Sequence, residues 1–228
     1  MTENTSGAIA LQYELAGKVV PTGEVNRPGL IAGADVSSHR SGSTGWAAVA
    51  VLNYPNLDIV DLAVVEGEVT FPYIPGLLSF RELPLIASAF SRLRVKPDLV
   101  IMDGHGIAHP RRLGIASHLG LVINTPVIGC AKSRLCGEYR EPGTIKGDAE
   151  PLMHRGETIG AVLRTRDGIR PVFVSPGHLI GMDSASKWVL DTCRGYRLPE
   201  PVRQAHLAAG KYRTGHSTGI ETARRICQ

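Results

Sequence analysis

The chain has 228 residues, 43% of them hydrophobic, and a formal net charge of +4. That length supports one well-packed domain, and with no long polar or low-complexity tract the composition excludes an intrinsically disordered protein. No segment approaches the roughly 20 apolar residues of a membrane helix, and the cysteines at 130, 136, 193 and 227 form neither a CxxC pair nor a zinc-type spacing.

The first residues, MTENTSGAIALQYELAG, carry acids and lack a basic start followed by an apolar run, so no secretory signal is expected. The protein is read as cytoplasmic with reduced thiols. Ala8 to Leu15 suits a short leading helix that Gly17 ends. Leu30 to Val36, LIAGADV, is an apolar strand ending in Asp35, with Ser37, Ser38 and a Gly/Ser turn behind it. Trp46 to Leu52 and Leu57 to Val69 supply two more strands with brief connections, which predicts an antiparallel meander.

Thr70 to Pro84, TFPYIPGLLSFRELP, opens as an irregular Pro-Gly loop and turns helical from about Leu77. Leu78, Leu85, Ile86, Ala89, Phe90 and Leu93 recur at helical spacing, with Glu82 on the helix and Pro84 marking a kink or a late start. Leu99 to Met102 is a continuous apolar run, the mark of a strand buried on both faces. Further on we expect a helix over Arg111 to Leu119, strands at Pro126 to Cys130, Ile159 to Leu163 and Val172 to Val174, and a helix from about Ser184 to Cys193. The remainder reads as a helix fragment with a flexible tail from about residue 205. This order predicts one α/β domain with a ribonuclease H-like mixed sheet: three antiparallel strands, then parallel strands, flanked by helices.

Chemistry concentrates in DLVIMDGHGIAHPRR, Asp98 to Arg112. Ligands of open α/β sheets sit at the carboxyl ends of central strands, and Asp103 stands there, followed by glycines, His105, His109 and two arginines. A lone Asp-Gly would read as an Asx turn; the flanking His-Gly and Arg-Arg favour a functional site. In a sheet of this order the first and fourth strands lie side by side, which brings Asp35 next to Asp103 with Glu82 leaning over them. Two carboxylates about 4 Å apart repel by roughly 4 kcal/mol at an effective dielectric of about 20, so such a cluster calls for a cation or a proton. All-oxygen ligation suits Mg2+, with Mn2+ as a substitute, and phosphoryl chemistry. Asp183 fits a helix N-cap at least as well as a fourth acid, and His178 is equally ambiguous. Basic residues at Arg111-Arg112, Lys132 to Arg134 and in the tail are consistent with a polyanionic partner or with a solvated face.

Several long motifs in order resemble the endonuclease V family over almost the whole chain. They are IAGADV around Asp35, PYIPGLLSFRELP from Pro72, DGHGIAHPRRLGIASHLG from Asp103, AKSRLCG around Lys132 and GYRLPEP near Pro199. The resemblance implies a ribonuclease H-like fold and magnesium-dependent cleavage of DNA containing deoxyinosine, at the second phosphodiester 3′ to the lesion, leaving a 3′-hydroxyl and a 5′-phosphate. It implies that Asp35, Glu82 and Asp103 are the metal and catalytic carboxylates, with His109 and Lys132 as donors that position phosphate or water. Tyr73, Ile74 and Pro75 become a wedge entering the duplex beside the extruded base, and Gly76, Leu78, Gly104 and Leu135 the base pocket.

Wedge and pocket make physical sense. Extracting a base costs a few kcal/mol, which a stiff apolar tip with an aromatic face offsets by filling the vacated stack. Hypoxanthine replaces the exocyclic amino donor of adenine with an acceptor, so main-chain N–H groups recognise it. An ordinary turn with Tyr73 and Ile74 packed inward is the competing reading of the loop; His105 and His206 are weaker candidates for the site. Ser133, where bacterial members commonly carry a second lysine, and the apolar loop Leu179 to Met182 depart from the family pattern. Those departures leave open the preference between DNA and inosine-containing RNA. A non-catalytic nucleic-acid-binding module is the alternative from another class, and the full set of acids speaks against it.

Overall fold

The meander expected from the sequence is present: β1 (Leu30–Ser38), β2 (Thr44–Asn53) and β3 (Ile59–Glu68) pair antiparallel in sequence. The computed structural model describes residues 2–38 and 43–215; the Gly/Ser turn and the final stretch of the expected tail, 216–228, lie outside them. After β3 come α2 (Leu78–Ser91), β4 (Leu99–Met102), α3 (Ile115–Ile123) and β5 (Val127–Ala131). β4 and β5 run parallel to β1. β6 (Ala149–His154), β7 (Glu157–Leu163) and β8 (Val172–His178) then form an antiparallel extension, giving the order β3-β2-β1-β4-β5-β8-β7-β6. This is the mixed ribonuclease H-like sheet, with β6 as a strand the sequence reading did not single out. β6 is a short edge strand in which only Leu152 is buried, so it carries little hydrophobic signal.

Side chains alternate across the sheet, and the helices divide accordingly. Ala32, Ala34, Val100 and Met102 face a core closed by α2 and α3. Ile31, Leu99 and Ile101 face the opposite core, closed by α4 (Met182–Asp191) and Val202 of α5 (Glu200–Arg213). A further apolar cluster joins Ala48, Ala50 and Leu52 of β2 to Ala205, Ala208 and Ala209 of α5. Residues 205–213 are therefore packed helix, which corrects the flexible tail expected from 205 onward. The low overall hydropathy of that stretch concealed its alanine face.

Helix boundaries also shift. α3 starts at Ile115 rather than Arg111, because Arg111 and Arg112 lie in a turn, Arg112 with φ +58°. α2 starts at Leu78 and continues past Pro84, which excludes a late start and leaves the Phe80 carbonyl without its usual helical donor. α4 begins at Met182 after Gly181, so Asp183 occupies the first turn and not the N-cap, where its charge complements the helix dipole.

His118 on α3 is 9% exposed, meets the Phe80 ring edge-on at a centroid distance of 5.4 Å and has a buried, unpartnered Nδ1. Burial lowers its pKa from 6.5 to about 4, and does the same to His109. Between those values the unfolded chain binds more protons than the folded one, so their stabilising contribution is complete above about pH 6.5 and is lost as pH falls through 4. Each such histidine accounts for on the order of 1–3 kcal/mol over that window. Chemical denaturation at pH 7 and pH 5 is expected to show a stability drop that His118→Phe makes smaller; an unchanged drop would contradict this assignment.

Candidate active site

The parallel register of β1 and β4 pairs Ala34 with Met102. Asp35 and Asp103 are the next residues, and the Asp103 N–H donates to the Ala34 carbonyl at 2.9 Å. Asp35 does not terminate its strand as expected, since β1 continues to Ser38; it marks where β1 and β4 part. By alternation both aspartates share the face of Gly33, Ile31 and Ile101, the face that α5 covers.

His206 reaches them from α5. Its Nδ1 lies 2.7 Å from Asp35 Oδ2, and because a carboxylate only accepts, Nδ1 carries the proton. One ligand atom each from Asp35, Asp103 and His206 fall within 4.8 Å of one another. The placement depends on Gly33: a Cβ there would lie 2.0 Å from the Pro201 carbonyl, so only glycine lets the start of α5 rest on β1. Glu200 in the first turn accepts from Arg203 at 2.7 and 2.6 Å, which holds that start in place.

Lys132, directly after β5, donates Nζ–H to Asp103 Oδ2, while Arg197 fixes the Lys132 carbonyl at 2.6 Å. Glu82 approaches from α2. Burial, followed by the charge of Asp35, raises its pKa to about 7, with Asp103 adding to the rise and Arg81 opposing it. Burial and the Asp35 charge also raise Asp103, against Lys132. The Asp35 hydrogen bond raises His206, against burial. Burial leads both carboxylate shifts, and the repulsion between neighbouring carboxylates adds to it.

Next to the cluster lies a cavity of about 240 Å³ whose wall includes Asp103, Glu82, Gly76 and Tyr73. Gly76 has φ +80°, a conformation that suits glycine, and its carbonyl accepts from His109 Nε2 at 2.9 Å. His109 Nδ1 in turn accepts from the Arg111 N–H at 3.1 Å, so the proton resides on Nε2. Tyr73 and Pro75 are exposed at the rim and Ile74 is half-buried, which removes the inward-packed reading of Tyr73.

Of the residues expected from sequence, Asp35 and Asp103 come together, and Lys132 and Glu82 border them. Tyr73, Pro75, Gly76, Leu78, Gly104 and Leu135 all line the cavity, whereas Ile74 does not. His109 is 2% exposed and turned to the Gly76 loop; it braces that loop instead of offering a free donor to a phosphate. Glu82, expected as a cation ligand, stands outside the 4.8 Å set that His206 completes, since α2 lies on the opposite face of the sheet. His206 had a legible signal, as Val202, His206 and Ala209 fall on one stripe of α5. Asp183 is exposed, and His178 is 6% exposed and accepts from the Val20 N–H at 3.2 Å, so both have structural places.

A family model described as Endonuclease V matches residues 13–207. The chain belongs to the endonuclease V family. It is 56% identical over 204 residues to an endonuclease V of Dehalococcoides mccartyi, covering 90% of this chain and 92% of that one. The crystal structure of the Streptomyces avermitilis endonuclease V superposes with a TM-score of 0.88 at 40% identity, covering 93% of this chain and 94% of that one. A Ciona intestinalis endonuclease V, in complex with DNA containing an inosine followed by a ribo-adenosine, superposes with a TM-score of 0.83 at 25% identity, covering 94% of this chain and 100% of the other. The family is one of nucleases, and this member carries an acidic cluster suited to a cation.

The donor set fits a divalent ion: one buried and one part-buried carboxylate and one imidazole, with a proton now bridging Asp35 and His206. Carboxylates favour Mg2+ and Mn2+, and an imidazole tilts the choice toward Mn2+. Calorimetric titration is expected to give tighter binding of Mn2+ than of Mg2+. Asp35→Asn and His206→Ala should each weaken Mn2+ by tenfold or more, as loss of a direct ligand does. Unchanged affinity in both variants would remove the cation from this cluster.

Proposed function

We propose that this protein is an inosine-directed endonuclease that hydrolyses the second phosphodiester 3′ to a deoxyinosine, leaving a 3′-hydroxyl and a 5′-phosphate, as a DNA-repair activity. The observation that carries this reading is the shared wall. Asp103 belongs both to the cation cluster and to the neighbouring cavity, so a base held in that cavity has its own backbone beside the reacting groups. The cavity volume of about 240 Å³ lies below the ~300–1,000 Å³ of drug-sized ligand sites and suits a single base. The Ciona relative bound to inosine-containing DNA points the same way.

In this reading Asp35, Asp103 and His206 hold Mg2+ or Mn2+. The ion, when bound, supplies Lewis-acid activation of water and neutralises charge on the phosphate. Lys132 presents its ammonium group to a phosphate oxygen beside Asp103. Glu82, with a pKa near 7, accepts the proton of the attacking water at its carboxylate. Tyr73 and Pro75 at the rim fill the stack that the extruded base leaves, and backbone N–H groups of the Gly76 and Gly104 segments meet the hypoxanthine acceptor edge. His109 is a positioning residue for the Gly76 loop. Inosine in RNA is the second reading, favoured by the ribo-adenosine that follows the inosine in the Ciona complex.

Asp103→Ala is expected to lower nicking of an inosine oligonucleotide by at least about a thousandfold while binding persists in Ca2+; retained nicking would refute the role of the cluster. Tyr73→Ala should weaken binding to inosine duplex about tenfold or more and to the corresponding single strand much less, because only the duplex must be unstacked. Equal losses on both would reject the wedge. Matched DNA and RNA oligonucleotides with one inosine, cut in Mg2+ and mapped, distinguish the two readings: DNA cut the faster supports the first, RNA cut the faster the second.

A further inference from the structure

The first helix, α1 (Thr2–Ala16), docks in an unusual way. Surface helices ordinarily attach through an apolar stripe. Among its described side chains, α1 buries Ala8 and Gln12, while Leu11 and Tyr13 are 40% and 64% exposed. Gln12, at 1% exposure, is the polar pin of this helix. Its Nε2 donates to the Gly76 carbonyl at 2.9 Å and to the Leu113 carbonyl at 3.2 Å, and its Oε1 accepts from Arg111 Nε. Gln12 also lines the cavity next to the aspartates.

The Gly76 carbonyl is the centre of this knot. It receives Gln12 Nε2, His109 Nε2 and Arg111 Nη2, each at 2.9 Å, although a carbonyl oxygen has only two lone pairs. The peptide is planar, so fixing this carbonyl also fixes the Leu77 N–H across the same bond. That N–H donates to the Ile74 carbonyl at 2.9 Å and closes the turn that holds Pro75 and directly follows Tyr73.

We propose that Gln12 is a positioning residue for base selection: it clamps the Gly76 carbonyl and with it the turn beside the cavity, so that α1 supports the preference for inosine. The proposal rests on the inosine reading above. It makes α1 part of the specificity apparatus although the helix contributes little apolar surface to the core.

Gln12→Met keeps the length of the side chain and removes its hydrogen bonds; Gln12→Glu keeps an acceptor for Arg111 and, as a carboxylate, cannot donate to Gly76. In the full-length protein both are expected to speed amide hydrogen exchange in residues 74–78 and in α1 about tenfold or more. They should lower the ratio of kcat/KM on inosine over adenosine oligonucleotides by about tenfold, through KM on inosine more than kcat, with Mn2+ affinity unchanged. Unchanged exchange and an unchanged ratio in both variants overturn the proposal. So does an equal loss on both oligonucleotides accompanied by a lower melting temperature, which marks a merely structural residue. If the parent protein fails to nick inosine, the inosine reading falls, and the exchange measurement alone then decides whether Gln12 clamps the loop.

Discussion

Two carboxylates projecting from adjacent parallel strands onto the same face repel each other, and much of this molecule answers that repulsion. Asp35 is 6% exposed and Asp103 stands beside it one step beyond the last β1–β4 pair, so water alone does not screen them. His206 approaches one and Lys132 the other. Both partners come from segments set in place by backbone-level packing: α5 on Gly33, and the end of β5 held by Arg197. Burial first, and the charge of Asp35 second, still raise the Glu82 pKa to about 7. A divalent cation would offset the remaining negative charge, which suits the phosphate-cleaving role proposed above.

The same sheet separates the chemistry from recognition. One face carries α5 and the imidazole; the other carries α2, from whose start the Tyr73 loop and the base-sized cavity are built. Asp103 joins the two because β4 ends there and the following Gly104 turns the chain along the cavity wall. A strand of only four residues thus fixes how far the aspartate cluster lies from the cavity, which in the proposed function is the distance between the base that is read and the bond that is cut. Loop positions lack such a sheet register, and here polar bonds replace it: Gln12, His109 and Arg111 converge on one carbonyl, where an apolar core would ordinarily do the holding.

The meander, the central strand and the Asp35–Asp103 pair were legible in sequence because apolar runs and short turns specify strand order, and the order puts β1 beside β4. The motifs added the Tyr73 loop and the pocket segments. What stayed hidden depends on contacts distant in sequence. His206 was only a weaker candidate at the start of an expected tail, since α5 docks through alanines and onto one glycine 168 residues earlier than Pro201, a pairing that no local pattern reveals. The family resemblance implied a catalytic-site donor at His109; the ring is turned toward the Gly76 carbonyl, 33 positions away. β6 escaped notice because an exposed edge strand need not alternate.

In the proposed function Asp35, Asp103 and His206 form one cation site at the edge of the cavity. Anomalous diffraction from crystals of the protein soaked in Mn2+ decides whether they do. A manganese peak coordinated by both aspartates and the imidazole, with the Asp35–His206 hydrogen bond replaced, is the expected result. A fully occupied manganese elsewhere, with that hydrogen bond intact and the aspartates unliganded, would contradict it.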